Sequence, residues 1–325
     1  MEAATISQIP ENAGTAFAPA SKRRSLKRKL FRSPSFSPTE IGLRLLLILC
    51  TALSVLTTFG ILAVLLQEVV HFFAQVSVWD FLTGSEWSAL IEPKKFGILP
   101  LLSGTLMIGV GASIIAVPVG LGCALYLSEY VKGKSREILK SVVEVLAGIP
   151  SVVYGFFAIS YVTPHLKDYF PDIQYFNALS AAIVVGIMVI PTIASISCDA
   201  FRAVPRDLRE AGYGLGARKY QVAVTVIFPA ALSGVIASII LAFSRAIGET
   251  MAVTLAAGSN PQLTLNPLES IQTITAFIVQ VSLGDTPSGT IEYQSLFAVG
   301  LVLFVMTLLT NLVAQFIVRR YQEKY

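Results

Sequence analysis

Residues 98–127 read ILPLLSGTLMIGVGASIIAVPVGLGCALYL, without a single charged side chain. A transmembrane helix needs about 20 apolar residues to cross roughly 30 Å of hydrocarbon, so this stretch is long enough to span a bilayer. Four more uncharged stretches meet the same test, at 45–66, 145–164, 178–198 and 296–318. A sixth, at 229–255, contains Arg245 and Glu249. The pattern predicts an all-α integral membrane protein with six transmembrane helices.

The composition of the 325-residue chain agrees with this. Hydrophobic residues make up 54% and charged residues only 14%, with a mean hydropathy of +0.70, which excludes a water-facing surface and therefore a soluble enzyme. The three cysteines and two histidines are scattered, so they predict neither a disulfide framework nor a metal site. We expect no catalytic residue, no metal and no cofactor in this chain.

The distribution of Lys and Arg predicts the orientation, because short loops rich in these residues stay in the cytoplasm. Of the 24 Lys and Arg residues, 20 fall on one side of the six predicted spans and three on the other (Lys94, Lys95, Lys167). An even number of spans then places both termini in the cytoplasm.

Two segments lie outside the predicted spans. Residues 1–40 are polar with a basic run at 22–32, which predicts a disordered basic cytoplasmic tail before a membrane domain at 41–325. The uncharged stretch 271–284 is too short to cross a bilayer. We interpret it as an interfacial or re-entrant helix on the outer face, since a seventh span would move the basic C-terminus outside.

Residues 128–135, SEYVKGKS, come one residue short of the phosphate-cradling pattern G-x-x-x-x-G-K-[ST]. That pattern binds nucleotide only where it follows a strand and opens a helix. Here it lies in a loop between two spans, so we interpret it as a false match. If ATP drives this protein, another chain must supply the nucleotide site.

The cytoplasmic loop 201–222 predicts a helix, a turn and a second helix. Pro205 suits a first helical turn, Leu208 and Ala211 share one face, and Gly216 allows the turn. The apolar face of such a short helix needs either a protein partner or the lipid interface. The residues alone leave both possibilities open.

Arg245 and Glu249 are costly inside a span, where an Arg near the helix centre costs about 2.5 to 3.5 kcal/mol. They stand at i and i+4 on one predicted helix, close enough to neutralise each other. They predict either a structural ion pair or an anion path, in which Arg245 meets the substrate, Glu249 is its exchange partner and Thr250 adjoins them.

The loop 201–222 also carries a family resemblance, because Glu210, Ala211, Gly216 and Ala217, with a distal Pro229, resemble the "EAA" loop of permease subunits of bacterial ATP-binding-cassette importers. The second alanine of that consensus is Gly212 here. The resemblance implies a type I importer permease fold. It also implies that this loop couples the permease to a separate ATPase subunit, so that the chain itself is not an enzyme.

Three further motifs resemble the C-type permease subunits of the bacterial phosphate-specific transport system: RAIGETMAV at 245–253, FGILPLLSGTL at 96–106 and GIPSVVYG at 148–155. The resemblance covers about residues 41–325. It implies half of a translocation pathway for inorganic phosphate in the bacterial inner membrane. The implied partners are a homologous A-type permease, a dimer of ATPase subunits, and an extracytoplasmic phosphate-binding protein that docks on loops such as 76–95.

Two other functions remain open at this point. One is a permease for another oxyanion, such as molybdate, sulfate or phosphonate. The other is a membrane scaffold or sensor of phosphate status that transports nothing. Dependence of uptake on an ATPase partner separates a permease from a scaffold.

Overall fold

The computed structural model describes residues 38–321, and these are mostly helical. The predicted tail at 1–40 lies essentially outside the described residues. Four helices are long: α1 (Pro38–Phe73), α3 (Leu99–Leu125), α7 (Ala178–Ala203) and α14 (Ile291–Tyr321). The shorter helices are α2 (Val78–Thr83), α4 (Lys134–Ala147), α5 (Ser151–Phe157), α6 (Thr163–Lys167), α8 (Arg206–Gly214), α9 (Lys219–Gln221), α10 (Phe228–Ala230), α11 (Leu232–Ile247), α12 (Met251–Ala257) and α13 (Ile274–Leu283).

Wider π-helical turns and one small hairpin complete the architecture. The π turns cover Tyr126–Tyr130, Ala158–Val162 and Val222–Ile227. Strands β1 (Trp87–Ser88) and β2 (Lys95–Phe96) are antiparallel, with Trp87 opposite Phe96.

Four helices are long and apolar enough to cross a membrane, and up to six crossings result if each of two bent helix pairs counts as one. The four run over Glu40–Phe73, Leu99–Tyr130, Ala178–Ala203 and Ile291–Arg320. The all-helical membrane fold is therefore confirmed. The described helices give four to six spans, and six, the predicted number, requires each bent pair to be one span.

The first bent pair corrects the helix that we predicted over 145–164. The chain turns by 82° between Lys134–Ala147 and Ser151–Lys167, with Pro150 directly before α5. Proline has no N–H to donate and disfavours a helical conformation at the residue before it, so the helix breaks at Gly148–Pro150. The part of 145–164 before the break belongs to α4, which buries none of its residues.

The second bent pair divides the span that we predicted over 229–255. Lys219–Ala230 and Leu232–Ile247 meet at 75°, and a second interruption at Gly248–Thr250 separates α11 from α12. Pro229 removes one helical hydrogen bond next to the bend, and Gly248 has the low helix propensity expected at a helix end.

Helix α7 is the most buried of the four long helices and forms the centre of the packing. Asn177 caps its first turn by accepting a hydrogen bond from the Ser180 N–H at 2.7 Å. The contact with α3 depends on small residues: a Cβ built on Gly120 would lie 2.8 Å from the Ile193 side chain, and one on Gly111 would lie 2.9 Å from Ala182. Close helix approach of this kind is the usual basis of packing in membranes, where lipid supplies no hydrophobic driving force.

Two further clusters lie at the ends of the bundle. One is aromatic, with edge-to-face contacts that link Phe72, Phe81, Trp87, Phe96 and Phe277. The other surrounds Phe201 and Val222, next to α8. The aromatic cluster makes the β1–β2 hairpin and α2 one packed unit.

Residues of α1 before Gly60 belong to a separate compact unit. There the apolar side chains are exposed all around the helix, as at Ile41, Leu45, Leu49 and Leu56. A helix that is apolar on every side is suited to lipid.

Helix α13 occupies the stretch 271–284 and has ten residues. Thr273 caps it by accepting from the Ala276 N–H at 3.2 Å, and its first turn is buried against α14 and α3. Its position at the outer face remains a prediction.

Candidate functional site

The first group of predicted site residues lies at the interruption between α11 and α12. Arg245 is on the last turn of α11 with an exposed side chain. Its Nη1 donates a hydrogen bond to Thr192 Oγ1 at 3.1 Å, from α11 across to α7. The guanidinium is therefore held by one neutral partner while most of its donors stay available.

Glu249 lies in the interruption itself and is half-buried. Its Oε1 accepts from the Ala252 N–H at 3.3 Å, so the carboxylate covers the first turn of α12. The Glu249 carbonyl accepts from Thr275 Oγ1 at 2.7 Å, which ties the interruption to α13. Thr250 is half-buried beside it and donates to the Gly248 carbonyl at 3.2 Å.

This geometry corrects the i, i+4 arrangement that we predicted for Arg245 and Glu249. The α11 helix ends at Ile247, and within residues 38–321 the structure records no ion pair between the two side chains. Glu249 instead caps the next helix. Arg245 has unused donors and Glu249 lies outside its helix, so each side chain can change its partner without the other.

The second group of predicted residues lies around the end of α8. Glu210 and Ala211 are exposed on the helix, and Gly216 follows it with φ +80°. The Gly216 N–H bonds to the Tyr213 carbonyl at 2.9 Å, and the Ala217 N–H bonds to the Gly212 carbonyl at 3.2 Å. This is a Schellman helix end, which needs a left-handed residue at the position of Gly216. The helix, turn and second helix predicted for this loop are present.

The face that α8 turns toward the rest of the chain contains Gly212. Gly212 faces inward, where an added Cβ would lie 3.1 Å from Val222 Cγ2. Leu215 is 90% exposed. Gly212, the departure from the EAA consensus, thus belongs to internal packing, while Ala211 and Leu215 remain available to a partner.

Two side chains that we did not predict hold α8 in place. Arg209 Nη2 donates to the Phe201 carbonyl at 2.5 Å and pairs with Glu129 Oε1 at 3.3 Å. The Glu129 side chain is only 7% exposed. Nothing in a single sequence relates Glu129 to a residue 80 positions later. Thr192 was missed for the same reason.

The two groups are separate, but both contact α7. Arg245 contacts Thr192, and Arg209 contacts Phe201, nine residues further along the same helix. At 1.5 Å per residue these contacts lie about 13 Å apart along the helix axis. Over the part of the chain that the structure describes, no group of three or more His, Cys, Asp or Glu side chains could hold a metal ion.

Lys94 and Glu292 form an ion pair between the hairpin loop and α14. The hydrogen bond to Glu292 raises the pKa of Lys94 above its usual value. The ion pair links the hairpin loop to the start of α14.

Long apolar helices around a buried central helix, two sharply bent helix pairs and a charged residue at a helix break define an α-helical membrane protein with discontinuous spans. Residues 116–323 match the family of binding-protein-dependent transport system inner membrane components. The chain belongs to this family.

The relatives agree with this. The chain is 34% identical over 245 residues to the probable ABC transporter permease protein YqgH of Bacillus subtilis, covering 75% of this chain and 79% of the relative. It is 34% identical over 261 residues to the phosphate transport system permease protein PstC of Mesorhizobium japonicum, covering 74% and 79%. It is 37% identical over 246 residues to the phosphate transport system permease protein PstC 1 of Mycobacterium tuberculosis, covering 69% and 73%.

Among solved structures, the chain has the fold of a bacterial ABC transporter for the import of the acidic polysaccharide alginate, with a TM-score of 0.60 and 15% identity over 93% of this chain and all of that chain. The MetNI methionine ABC transporter in an inward-facing form matches with a TM-score of 0.53 and 19% identity over 70% and 95%. The expected importer-permease fold and multi-pass inner-membrane location are thereby confirmed.

Proposed function

We propose that this chain is one of two permease halves of an ATP-driven importer for inorganic phosphate. The observation that carries the proposal is Arg245, an exposed cation at a helix break that is fixed by one neutral hydrogen bond to Thr192. Charged residues in membrane spans normally face a pathway or a partner. The similarity to phosphate permeases supports phosphate as the anion.

In this proposal Arg245 admits the anion and Glu249 competes for Arg245 in another state of the transport cycle. The cost of exposing Arg245 in the membrane falls when an anion or Glu249 neutralises it. In the structure Glu249 instead caps α12, so Arg245 keeps its donors for substrate. Thr250 would line the same break.

The ATPase would be a separate subunit that docks on α8. The support is the exposure of Tyr213 and Leu215 on a helix end that is rigid, because its Schellman motif and its Arg209 contacts fix it. A movement of the docked ATPase would displace α8, and the Arg209–Phe201 contact would transmit this displacement to α7. The Thr192–Arg245 contact would then transmit it to Arg245. A packed helix with a contact at each site is a suitable link between distant sites.

Two other partners complete the proposal. A homologous A-type permease would cover the lipid-exposed apolar side of the long helices and supply the other half of the path. An extracytoplasmic phosphate-binding protein would dock on the hairpin region, where the aromatic cluster and the Lys94–Glu292 pair give a rigid surface.

The test is uptake of labelled phosphate in cells that lack high-affinity phosphate uptake and are supplied with the partner subunits. We expect uptake that excess unlabelled phosphate suppresses and that excess molybdate, sulfate or phosphonate does not. Suppression by one of these other anions at equal concentration would identify an importer of that anion. Absence of uptake of labelled phosphate and of each of these other anions, supplied in labelled form in turn with all partners assembled, would favour the scaffold or sensor.

Two matched variants test the docking surface. Leu215 and Leu265 are both 90% exposed, but only Leu215 lies at the end of α8. Leu215→Asp should abolish co-purification of the ATPase subunit with the permease, whereas Leu265→Asp should leave it intact. Equal co-purification of the two variants would place the ATPase elsewhere.

A further inference from the structure

A basic cavity of about 380 Å³ opens beside α8, and its cationic lining comes from three parts of the chain. These residues are Lys132, Arg136, Arg202, Arg206 and Arg209. No acidic residue is part of its lining in the described chain. We propose that this cavity binds a phosphate group on the cytoplasmic side, at a site separate from Arg245.

The hydrogen-bond partners of the cations support a ligand. Arg136 donates to the Leu127 carbonyl at 3.0 Å, and Arg209 is paired with Glu129, although Arg209 Nε is buried without a partner. Lys132, Arg202 and Arg206 have no ion pair and no side-chain hydrogen bond within residues 38–321. Three free cations that share a concavity with two others repel one another until an anion is bound.

The backbone adds further positive potential. Gly133 lines the cavity and stands directly before α4, with no side chain capping that helix; Arg206, which also lines it, begins α8, again without a capping side chain. Unpaired N–H groups and the helix dipole favour anions at such helix starts. Asp207 and Glu137 are in these first turns, but neither is part of the cavity lining.

The chemistry of the lining favours phosphate over a lone carboxylate. Arginine presents forked donors that match phosphate oxygens two at a time, and here four arginines and one lysine line the same cavity. Ser128 and Gly133, the ends of the SEYVKG segment, also line the cavity. The stretch 128–135 follows a helix and not the strand that a nucleotide loop would follow, yet it contributes to the proposed phosphate-group site with partners from α7 and α8.

The preference of Lys and Arg for cytoplasmic loops accounts for the side of the membrane on which we place these residues. It does not explain why they line the same cavity. Residues 132–136 and 202–209 are about 70 positions apart and meet at one cavity. A bound phosphate group would connect α8 to the start of α4 and the end of α7. Its source is either free phosphate in the cytoplasm or the headgroup of an anionic phospholipid, and the cavity is larger than inorganic phosphate alone.

The test uses the purified full chain carrying Arg245→Gln, so that binding at the proposed transport site does not contribute. Binding of labelled inorganic phosphate is measured by equilibrium dialysis in a neutral detergent, at a salt concentration of about 0.15 M. We expect that the double variant Arg202→Gln/Arg206→Gln weakens binding about tenfold or more, because charge-assisted hydrogen bonds are lost. Arg218→Gln is the control, an exposed cation of the same loop outside the cavity.

A second arm identifies the source. The same chains are placed in nanodiscs of phosphatidylcholine with or without phosphatidylglycerol, and retained lipid is measured by native mass spectrometry. Retention of phosphatidylglycerol that depends on Arg202 and Arg206, without binding of inorganic phosphate, assigns the site to a headgroup. Binding of inorganic phosphate with the same dependence assigns it to the free anion.

Hydrogen exchange gives an independent readout in either arm, since a bound group should slow exchange in α8 and at 132–136 in the parent chain but not in the double variant. The proposal is overturned if neither ligand depends on Arg202 and Arg206, or if Arg218→Gln weakens binding equally. These results do not depend on which anion is transported, so they are separable from the proposed function.

Discussion

Among single residues, Arg245 is central to the proposed anion path, and one hydrogen bond holds its side chain. Arg245 has an exposed guanidinium with one neutral hydrogen bond, to Thr192 on α7. That bond orients the side chain without neutralising it. Glu249, the nearest acidic residue in sequence, is occupied at the start of α12.

Replacing Thr192 should weaken transport without unfolding the protein. Thr192→Val keeps the side-chain shape and removes the hydrogen bond, so Arg245 samples more orientations. Because Arg245 is exposed and water can replace the lost partner, we expect about two- to tenfold lower uptake at an unchanged membrane level. Thr310→Val is the matched control, since Thr310 bonds only to the Met306 carbonyl of its own helix. An equal loss in both variants would contradict a role for the Thr192 contact.

The sequence reveals Arg245 because a charge stands out in an apolar span, but it cannot reveal Thr192. Threonines in these helices mostly donate to the carbonyl four residues earlier, as Thr51 and Thr105 do. Which threonine instead faces a neighbouring helix depends on the rotation and crossing of two helices. The interruption after Ile247 was likewise missed, because Gly248 is tolerated inside membrane helices and only packing decides whether it ends one.

At the scale of elements, α8 is a helix whose end is set by a glycine. Gly216 has φ +80°, a conformation that costs an L-residue about 1 to 2 kcal/mol. Gly214, two residues earlier, is helical, and a Cβ there would meet no atom within 4 Å.

The two glycines therefore predict opposite effects of the same substitution. Gly216→Ala should strain the Schellman end and lower ATPase-coupled uptake severalfold, because Leu215 would be misplaced. Gly214→Ala should be neutral or slightly stabilising, since alanine is favoured over glycine in a helix by about 1 kcal/mol. Coupled ATP hydrolysis and uptake are measured together. Retention of both in Gly216→Ala would mean that the turn geometry does not matter.

The Arg209–Glu129 pair should matter more than a surface pair. Arg209→Gln leaves Glu129 buried without its counter-ion, and breaking such a buried pair costs about 3 kcal/mol or more. The exposed Lys140–Glu144 pair has a separation of 3.9 Å, so Lys140→Gln should cost less than about 1 kcal/mol. Thermal unfolding in detergent measures both. A larger loss for Lys140→Gln would show that Arg209 does not secure α8.

The existence of α8 was predictable from Pro205, the apolar spacing and Gly216, because caps and periodicity are local signals. Its buried face was not, since Gly212 points inward only because Val222 from the next helix fills the space there. That contact depends on how the chain folds back after Ala217.

In the whole molecule, both candidate sites contact α7, one through Thr192 and the other through Phe201. The two bent helix pairs show that an apolar stretch in the sequence need not form one continuous helix. The positions of six apolar stretches were predictable from composition. The bends of 82° and 75° were not, because proline is also accepted in continuous membrane helices and neighbouring packing decides the outcome.

The orientation predicts that a reporter fused after Tyr325 is cytoplasmic. Positive residues favour the inner side of the membrane, and Arg319 and Arg320 close α14. A reporter that is active only in the periplasm should therefore be inactive at this position and active when inserted after Ile91, in the hairpin loop. Activity at Tyr325 would place the C-terminus in the periplasm and would overturn the topology.

The central claim is that the anion passes by Arg245, and uptake by an Arg245→Gln variant tests it most directly. Labelled phosphate uptake is measured with all partner subunits present and membrane levels checked, with Arg319→Gln, an exposed cation at the end of α14, as control. We expect that Arg245→Gln abolishes uptake at normal abundance while Arg319→Gln retains it. Unchanged uptake in Arg245→Gln would contradict the account and leave Arg245 a packing residue.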